Sequence, residues 1–259
     1  MWMARLAVFI VTCAGCATCL AESVTPGSAG DLADAMMTRL YSDGFEARMT
    51  ISVSKSGGAH AAPIKVAVIG QLDPGRQRLL VKGISPDSVR DRFVAVERKS
   101  DGSIRAIQYD SASENVSEVD PFANLFETGV VVWDLLSPWW QWPLQRIVGT
   151  DHRDGRDCTV VRSRHADATS PIAEVVSCVE PGTRLALRTQ FFDARGTLVR
   201  TKELGQIVHT ASGSIVAKTL SIKGRNGSVT EIDVYGGDEQ YAIRADTFSR
   251  LDRPFEARQ

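Results

Sequence analysis

The chain has 259 residues, 43% of them hydrophobic, with 30 basic against 31 acidic side chains and a formal net charge of −1. That length and apolar content support one sizeable core, and nothing in the near balance of charge suggests nucleic-acid binding, which needs a basic face. No run of like charges and no low-complexity tract breaks the chain, and beyond the N-terminus no stretch reaches the roughly 18 apolar residues of a membrane-spanning helix.

The N-terminus reads as an export signal. Arg5 precedes an apolar stretch over residues 6–12 that is too short to span a bilayer, and small residues follow up to Cys19-Leu20-Ala21. A signal peptide over 1–21, cleaved after Ala21, and a single domain over 22–259 are predicted. An alternative is lipidation at Cys16, which follows Cys13-Ala14-Gly15 but lacks the usual leucine three positions before it. Two cysteines then remain, Cys158 and Cys178, and an oxidising compartment would pair them.

Residues 28–43 have apolar positions at three- and four-residue spacing (Ala29, Leu32, Ala33, Met36, Met37, Leu40), the pattern of an amphipathic helix packed on a sheet face. From Phe45 the period changes to two. Strands are predicted from Phe45, with Met49, Ile51 and Val53 on one face, then over 64–72, 76–83, 92–98 and 104–109. Asp73-Pro74-Gly75 and Ser100-Asp101-Gly102 supply turns. After an irregular region at 111–145, strands resume over 145–149, 157–164, 173–180, 184–192, 197–208, 214–223 and 229–235. A last helical turn at 245–251 carries Phe248 and Leu251. The fold class is mainly β. Alternation places Met49, Ile51, Val53, Ile64, Val66, Val68, Leu79, Val81, Leu185, Leu187, Phe191, Ile215, Leu220 and Ile232 on the inward face. If the 157–180 hairpin turns at residue 168, Cys158 and Cys178 lie equally far from the turn. They would then face each other across the ladder, at a separation a disulfide tolerates.

Four of the five tryptophans fall in residues 130–143, which read Val-Val-Val-Trp-Asp-Leu-Leu-Ser-Pro-Trp-Trp-Gln-Trp-Pro. Pro138 and Pro143 deny this stretch a long helix or a central strand. Indole suits a boundary between apolar and wet surface, which leaves two readings: the rings close one end of a core, or they cover an apolar ligand cavity. Because the stretch lies between two β-meanders, 122–143 is expected to act as a lid. The ligand-binding residues would be Phe122, Phe126, Trp133, Leu135, Leu136, Trp139, Trp140 and Trp142, with Asp134 and Gln141 left wet.

No catalytic motif is present: no H-E-x-x-H, no G-x-S-x-G and no phosphate-cradling glycine loop. His60, His152 and His165 fall in predicted loops or turns, and His209 ends a strand. The polar run 150–157 has interleaved arginines and a turn glycine, so it reads as a charged β-turn rather than a metal site. No catalytic residue, metal ligand or cofactor is assigned.

Four segments together carry a resemblance. They are 78–90, with its Ile84-Ser85-Pro86 step; Phe126-Glu127-Thr128-Gly129 followed by Val132-Trp133-Asp134-Leu135-Leu136; Ile147-Val148-Gly149 leading to Gly155-Arg156-Asp157-Cys158; and Asp193-Ala194-Arg195-Gly196-Thr197-Leu198-Val199. In this order, over residues 30–252, the chain resembles the outer-membrane-lipoprotein-sorting-like proteins, relatives of the LolA/LolB lipoprotein carriers. The resemblance implies an incomplete antiparallel β-barrel, a curved sheet with an N-terminal helix and a central helical or loop lid. It also implies a periplasmic, non-enzymatic carrier that holds lipoprotein or lipid acyl chains in an apolar cavity. An inner-membrane transporter or an outer-membrane acceptor would be its partner. The alternative on the same fold is a periplasmic sensor or interaction module that binds an inner-membrane protein.

Overall fold

The computed structural model describes residues 27–58, 60–111, 116–167, 169–210 and 212–252. The expected leader, with Cys16 and the cleavage site after Ala21, lies outside these residues. The chain opens with helix α1 (Ala29–Leu40), shorter at both ends than its apolar spacing suggests. The Ser28 hydroxyl caps it by accepting from the Asp31 backbone N–H at 3.1 Å. Leu32, Ala33, Met36 and Met37 form its buried face.

The described residues then form one antiparallel sheet of 13 strands. The first run is β1 (Ser42–Ser54), β2 (Ile64–Leu72), β3 (Arg76–Ser85), β4 (Arg92–Lys99), β5 (Ile104–Asp110) and β6 (Val116–Val119). The second is β7 (Leu144–Arg153), β8 (Arg156–Arg164), β9 (Glu174–Glu180), β10 (Leu185–Phe192), β11 (Leu198–His209), β12 (Ile215–Gly224) and β13 (Val229–Asp238). The spatial order runs β6 to β1, then β13 back to β7. Every neighbour is therefore a sequence neighbour except at one seam, where β1 pairs β13 with Ile51 opposite Ile232. β6 and β7 are free edges, so the barrel is incomplete, as the resemblance implies. The strand β6 was not expected.

The chain crosses from β6 to β7 through three short 3₁₀ turns, Leu125–Glu127, Val132–Leu136 and Pro138–Gln141. This segment fills the concave face. Its Leu125, Phe126, Val130, Val132 and Leu136 join Ile51, Val66, Val81, Val96 and Ile232 in one core cluster. Its Val131, Trp133, Trp139 and Trp140 join the buried face of α1 and Val161, Val175, Val179 and Phe191 in a second. The helix packs on the crossing segment as well as on the sheet. The convex face is covered locally by the C-terminal segment, where Phe248 and Leu251 pack on Leu80, Ala95 and Ile107. A short helix there, α2 (Ser249–Asp252), sends Asp252 to Arg76 at 2.6 Å.

The inward set is as alternation predicts over most strands, with corrections in β12, where Ile215 has the opposite parity to the inward Leu220 and Ile222, and in β10. A register shift between Ala186 and Arg188 makes Leu187 the extra residue of a bulge. One extra residue reverses the side-chain parity. Ala186 therefore packs on the inner cluster, while Leu185 and Leu187 turn outward against the disulfide.

Cys158 and Cys178 are bonded, with Cα atoms 5.3 Å apart. The register differs from the expected one. Val160 faces Cys178 and Thr159 faces Val179, so the hairpin turns one residue later and the bridge runs diagonally. The bond closes a loop with a sequence separation of 20, for which chain entropy gives about 3 kcal/mol. The Cys158→Ser/Cys178→Ser variant should lose that much in urea melts, and a loss below about 1 kcal/mol would make the bond a passive ornament of the hairpin.

Candidate functional site

The concave face and the segment that stoppers it form the candidate site. The structure brings the expected ligand-binding residues together and places most of them inside. Trp139 is 1% exposed. Trp133, Trp140, Leu136 and Phe126 are also buried, whereas Phe122, Leu135 and Trp142 are half-buried. The four indoles and Phe122 form one continuous cluster. Trp133 stacks on Phe122 at 5.2 Å and lies 5.5 Å from Trp139 and 6.0 Å from Trp142. Trp139 meets Phe191 of β10 edge-on at 5.2 Å, a favoured aromatic geometry. Phe126 and Leu136 pack in the other cluster, so the eight residues divide between two halves of the interior.

Few polar ties hold the stopper to the sheet. Gly129 donates its N–H to the buried Thr230 hydroxyl of β13 at 3.2 Å. A Cβ at residue 129 would lie 2.3 Å from that hydroxyl, so only glycine fits this approach. Gln145 of β7 donates to the carbonyls of Trp139 (2.8 Å) and Trp142 (3.0 Å). The strongest tie corrects an expectation. Asp134 is 5% exposed rather than wet, and it pairs bidentately with Arg200 of β11, which is 8% exposed; one contact, from Nε, is 2.9 Å. A carboxylate of a short turn among tryptophans reads as a solvent-facing group until its cationic partner, distant in sequence, is known. Arg200 also lies over the Phe191 ring at 4.4 Å.

Beside this pair, Lys202 sits over the Trp139 ring at 5.4 Å. Desolvation pushes its ammonium below the ordinary lysine value; Asp134 opposes that shift and Arg200 adds to it. The hydroxyls of Ser177 and Thr189, which face each other across β9 and β10, have no hydrogen-bond partner among the described residues. Neither has the Trp139 indole N–H. Such groups are costly in a finished core.

Two openings stand out, one within the sheet and one beside the stopper. At one, β12 and β13 part: they pair only from Thr219–Asp233 to Lys223–Val229, while Ile215 and Val216 stay on β11 and Val234 to Asp238 stay on β1. The resulting groove has a volume of 740 Å³ and is lined by Phe45, Ala47, Val208, Val216, Val234 and Tyr235 among others. At the other, a cleft of 560 Å³ lies between the β4–β5 turn and the aromatic edge of the stopper. Both volumes are in the range of ligand sites.

This architecture matches solved structures over most of the chain. An outer membrane lipoprotein-sorting protein domain from Vibrio parahaemolyticus superposes with a TM-score of 0.75 at 14% identity, over 86% of this chain and 97% of that one. The chain has the LolA-like lipoprotein-sorting fold. A LolA superfamily protein from Nitrosomonas europaea gives a TM-score of 0.67 at 14% identity, over 85% and 97% of the two chains. A DUF1329 family protein from Desulfovibrio piger gives 0.75 at 18% identity, over 85% and 95%. No protein-family model matches the sequence, and no curated protein is significantly similar to it. At these identities the likeness concerns the LolA-like fold alone.

Sequence reasoning missed the polar residues inside the LolA-like concavity: Arg98, Asp134, Ser177, Thr189, Arg200 and Lys202. For Arg98 a signal existed, because Val94, Val96 and Arg98 alternate onto one face of β4. No group of three or more His, Cys, Asp or Glu side chains placed to hold a metal ion occurs among the described residues. Among those residues, no helix is long and apolar enough to cross a membrane.

Proposed function

We propose that this protein is a periplasmic, non-enzymatic carrier that shelters the acyl chains of a lipid or lipoprotein on the concave face of its sheet. The stopper at 120–143 yields that face to the cargo. The observation that carries this reading is the stopper itself. It is a separate aromatic segment, made of short turns, that fills a largely apolar concavity and is tied to it by few polar contacts. An acyl chain can replace it, because transfer from water gains about 0.8 kcal/mol per buried CH₂ without directional bonds. Irregular turns open at lower free energy than sheet. The groove where β12 and β13 part is a natural portal for the chain. The expected ligand-binding set of Phe122, Phe126, Trp133, Leu135, Leu136, Trp139, Trp140 and Trp142 would be the surface that the cargo displaces or contacts. The likeness to lipoprotein-sorting structures supports the same reading. The export signal read in the sequence supports a periplasmic location, with a membrane transporter or acceptor as partner.

One observation favours the alternative of an interaction module that binds an inner-membrane partner. The edge strand β7 exposes Leu144, Ile147 and Val148, and a free edge is a template for pairing with another chain.

Delipidated protein should take up a fluorescent fatty-acyl probe with a change in tryptophan emission as the stopper moves. Failure to take up either acyl probes or a lipopeptide would overturn the carrier reading. Recovery of one inner-membrane protein with no lipid in the eluate would then select the interaction module.

A further inference from the structure

We propose that the cleft between the β4–β5 turn and the stopper is a head-group site. It binds the oxyanion of an anionic amphiphile, a carboxylate or a phosphate, through Arg98. This rests on the carrier reading and adds to it a polarity for the cargo.

Arg98 lines the cleft with Phe122, Trp133, Gln141, Trp142 and His165. It is 8% exposed, its Nε has no hydrogen-bond partner, and no ion pair satisfies it among the described residues. Desolvation holds its guanidinium below the ordinary arginine value, with Tyr41 and Asp101 opposing. Its cross-strand neighbour on β3 is Gln77, which is also buried, and neither the oxygen nor the nitrogen of that side-chain amide has a partner among the described residues. Among the described residues, the Arg98 Nε–H and the Gln77 amide N–H are adjacent inward donors without acceptors, which is unusual in a finished core. An anion supplies acceptors for these two nitrogens, and guanidinium binds oxyanions in a two-pronged geometry.

The carboxylate on the lining makes no ion pair with Arg98. Asp101 is turned into its own hairpin, where it accepts from the Ser103 backbone N–H at 2.9 Å and from the Ser103 hydroxyl at 2.6 Å. The aromatic wall sets the direction of the tail. Trp133 belongs both to the cleft and to the buried ring cluster, so a chain anchored at Arg98 runs along Trp133 beneath the stopper.

The test compares ligands with equal tails on the full chain by titration calorimetry: laurate, dodecyl phosphate and 1-dodecanol. At least one anion should bind about tenfold or more tightly than dodecanol, as a charge-assisted hydrogen bond allows. Preference for the phosphate assigns a phospholipid-type head, and preference for laurate a free fatty acid. Arg98→Met should bring the anion-to-alcohol ratio within about twofold of one, and Arg98→Lys should retain part of it. The ligand-free Arg98→Met protein should melt no lower than the parent, because it loses an unpaired buried charge; a structural arginine would melt lower on removal. Equal binding of anion and alcohol by the parent, or an undiminished ratio in Arg98→Met, overturns the head-group site and leaves the carrier reading standing. Binding of no ligand overturns both.

Discussion

Replacing Asp134 with alanine should destabilise the protein by about 3–5 kcal/mol, because it strands a buried cation. Asp134 comes from the turn Val132–Leu136 and Arg200 from β11, and both are buried. Alanine leaves the guanidinium over Phe191 without its anion, in a place where water does not replace it. The double substitution Asp134→Leu/Arg200→Met removes both charges. It should recover most of the loss, since a well-packed apolar pair is often as stable as a buried ion pair. Urea melts followed by tryptophan fluorescence measure both effects. A loss under about 1 kcal/mol for Asp134→Ala would mean that the pair is hydrated and does not clamp the stopper. If it does clamp it, the single variant should also take up acyl probe faster than the parent.

Substituting Trp139 removes the largest fully buried side chain. Trp139→Ala should cost about 3–5 kcal/mol, from lost transfer free energy and the cavity that remains. The edge-on contact with Phe191 and the tilted contacts with Trp133 and Trp140 go with it, and Lys202 loses the ring beneath its ammonium. The double variant Trp139→Ala/Trp140→Ala separates stopper from scaffold. Far-ultraviolet dichroism should keep its β signal, because the strand ladders do not depend on these rings, while bound acyl probe should dissociate faster. A double variant that unfolds outright would instead make the segment ordinary core, with no role as a lid.

Much of the sheet is legible in the sequence, because each strand has a two-residue apolar period and ends at a strong turn. The strand 64–72 matches its predicted limits, and most others agree within a few residues. Val116–Val119 escaped notice because four residues are too few to show a period. Leu187 was placed inward because a bulge leaves no mark in the alternation it interrupts. The cysteine register missed by one residue at the turn, since the 165–173 loop has no two-residue turn signal to fix its centre. The aromatic stopper was legible from composition and its prolines. Its polar clamp was not, because Asp134 and Arg200 are 66 residues apart and only the folded chain joins them. Arg98 was within reach: continuing the alternation Val94, Val96 by one step points it inward.

The seam between β1 and β13 has a consequence for how the chain reaches this shape. Every other strand pair joins neighbours along the chain, so each forms by closing a short loop, at small entropic cost. The seam instead joins strands from opposite ends of the described chain, with Ile51 opposite Ile232 as its buried centre. Contacts of such long range govern the folding rates of β proteins. Two meanders can thus zip independently from their hairpins, and their docking along β1 and β13 sets the pace. Before that docking, the inner face of each half is open to solvent, and the aromatic crossing segment is the nearest apolar surface available to cover it.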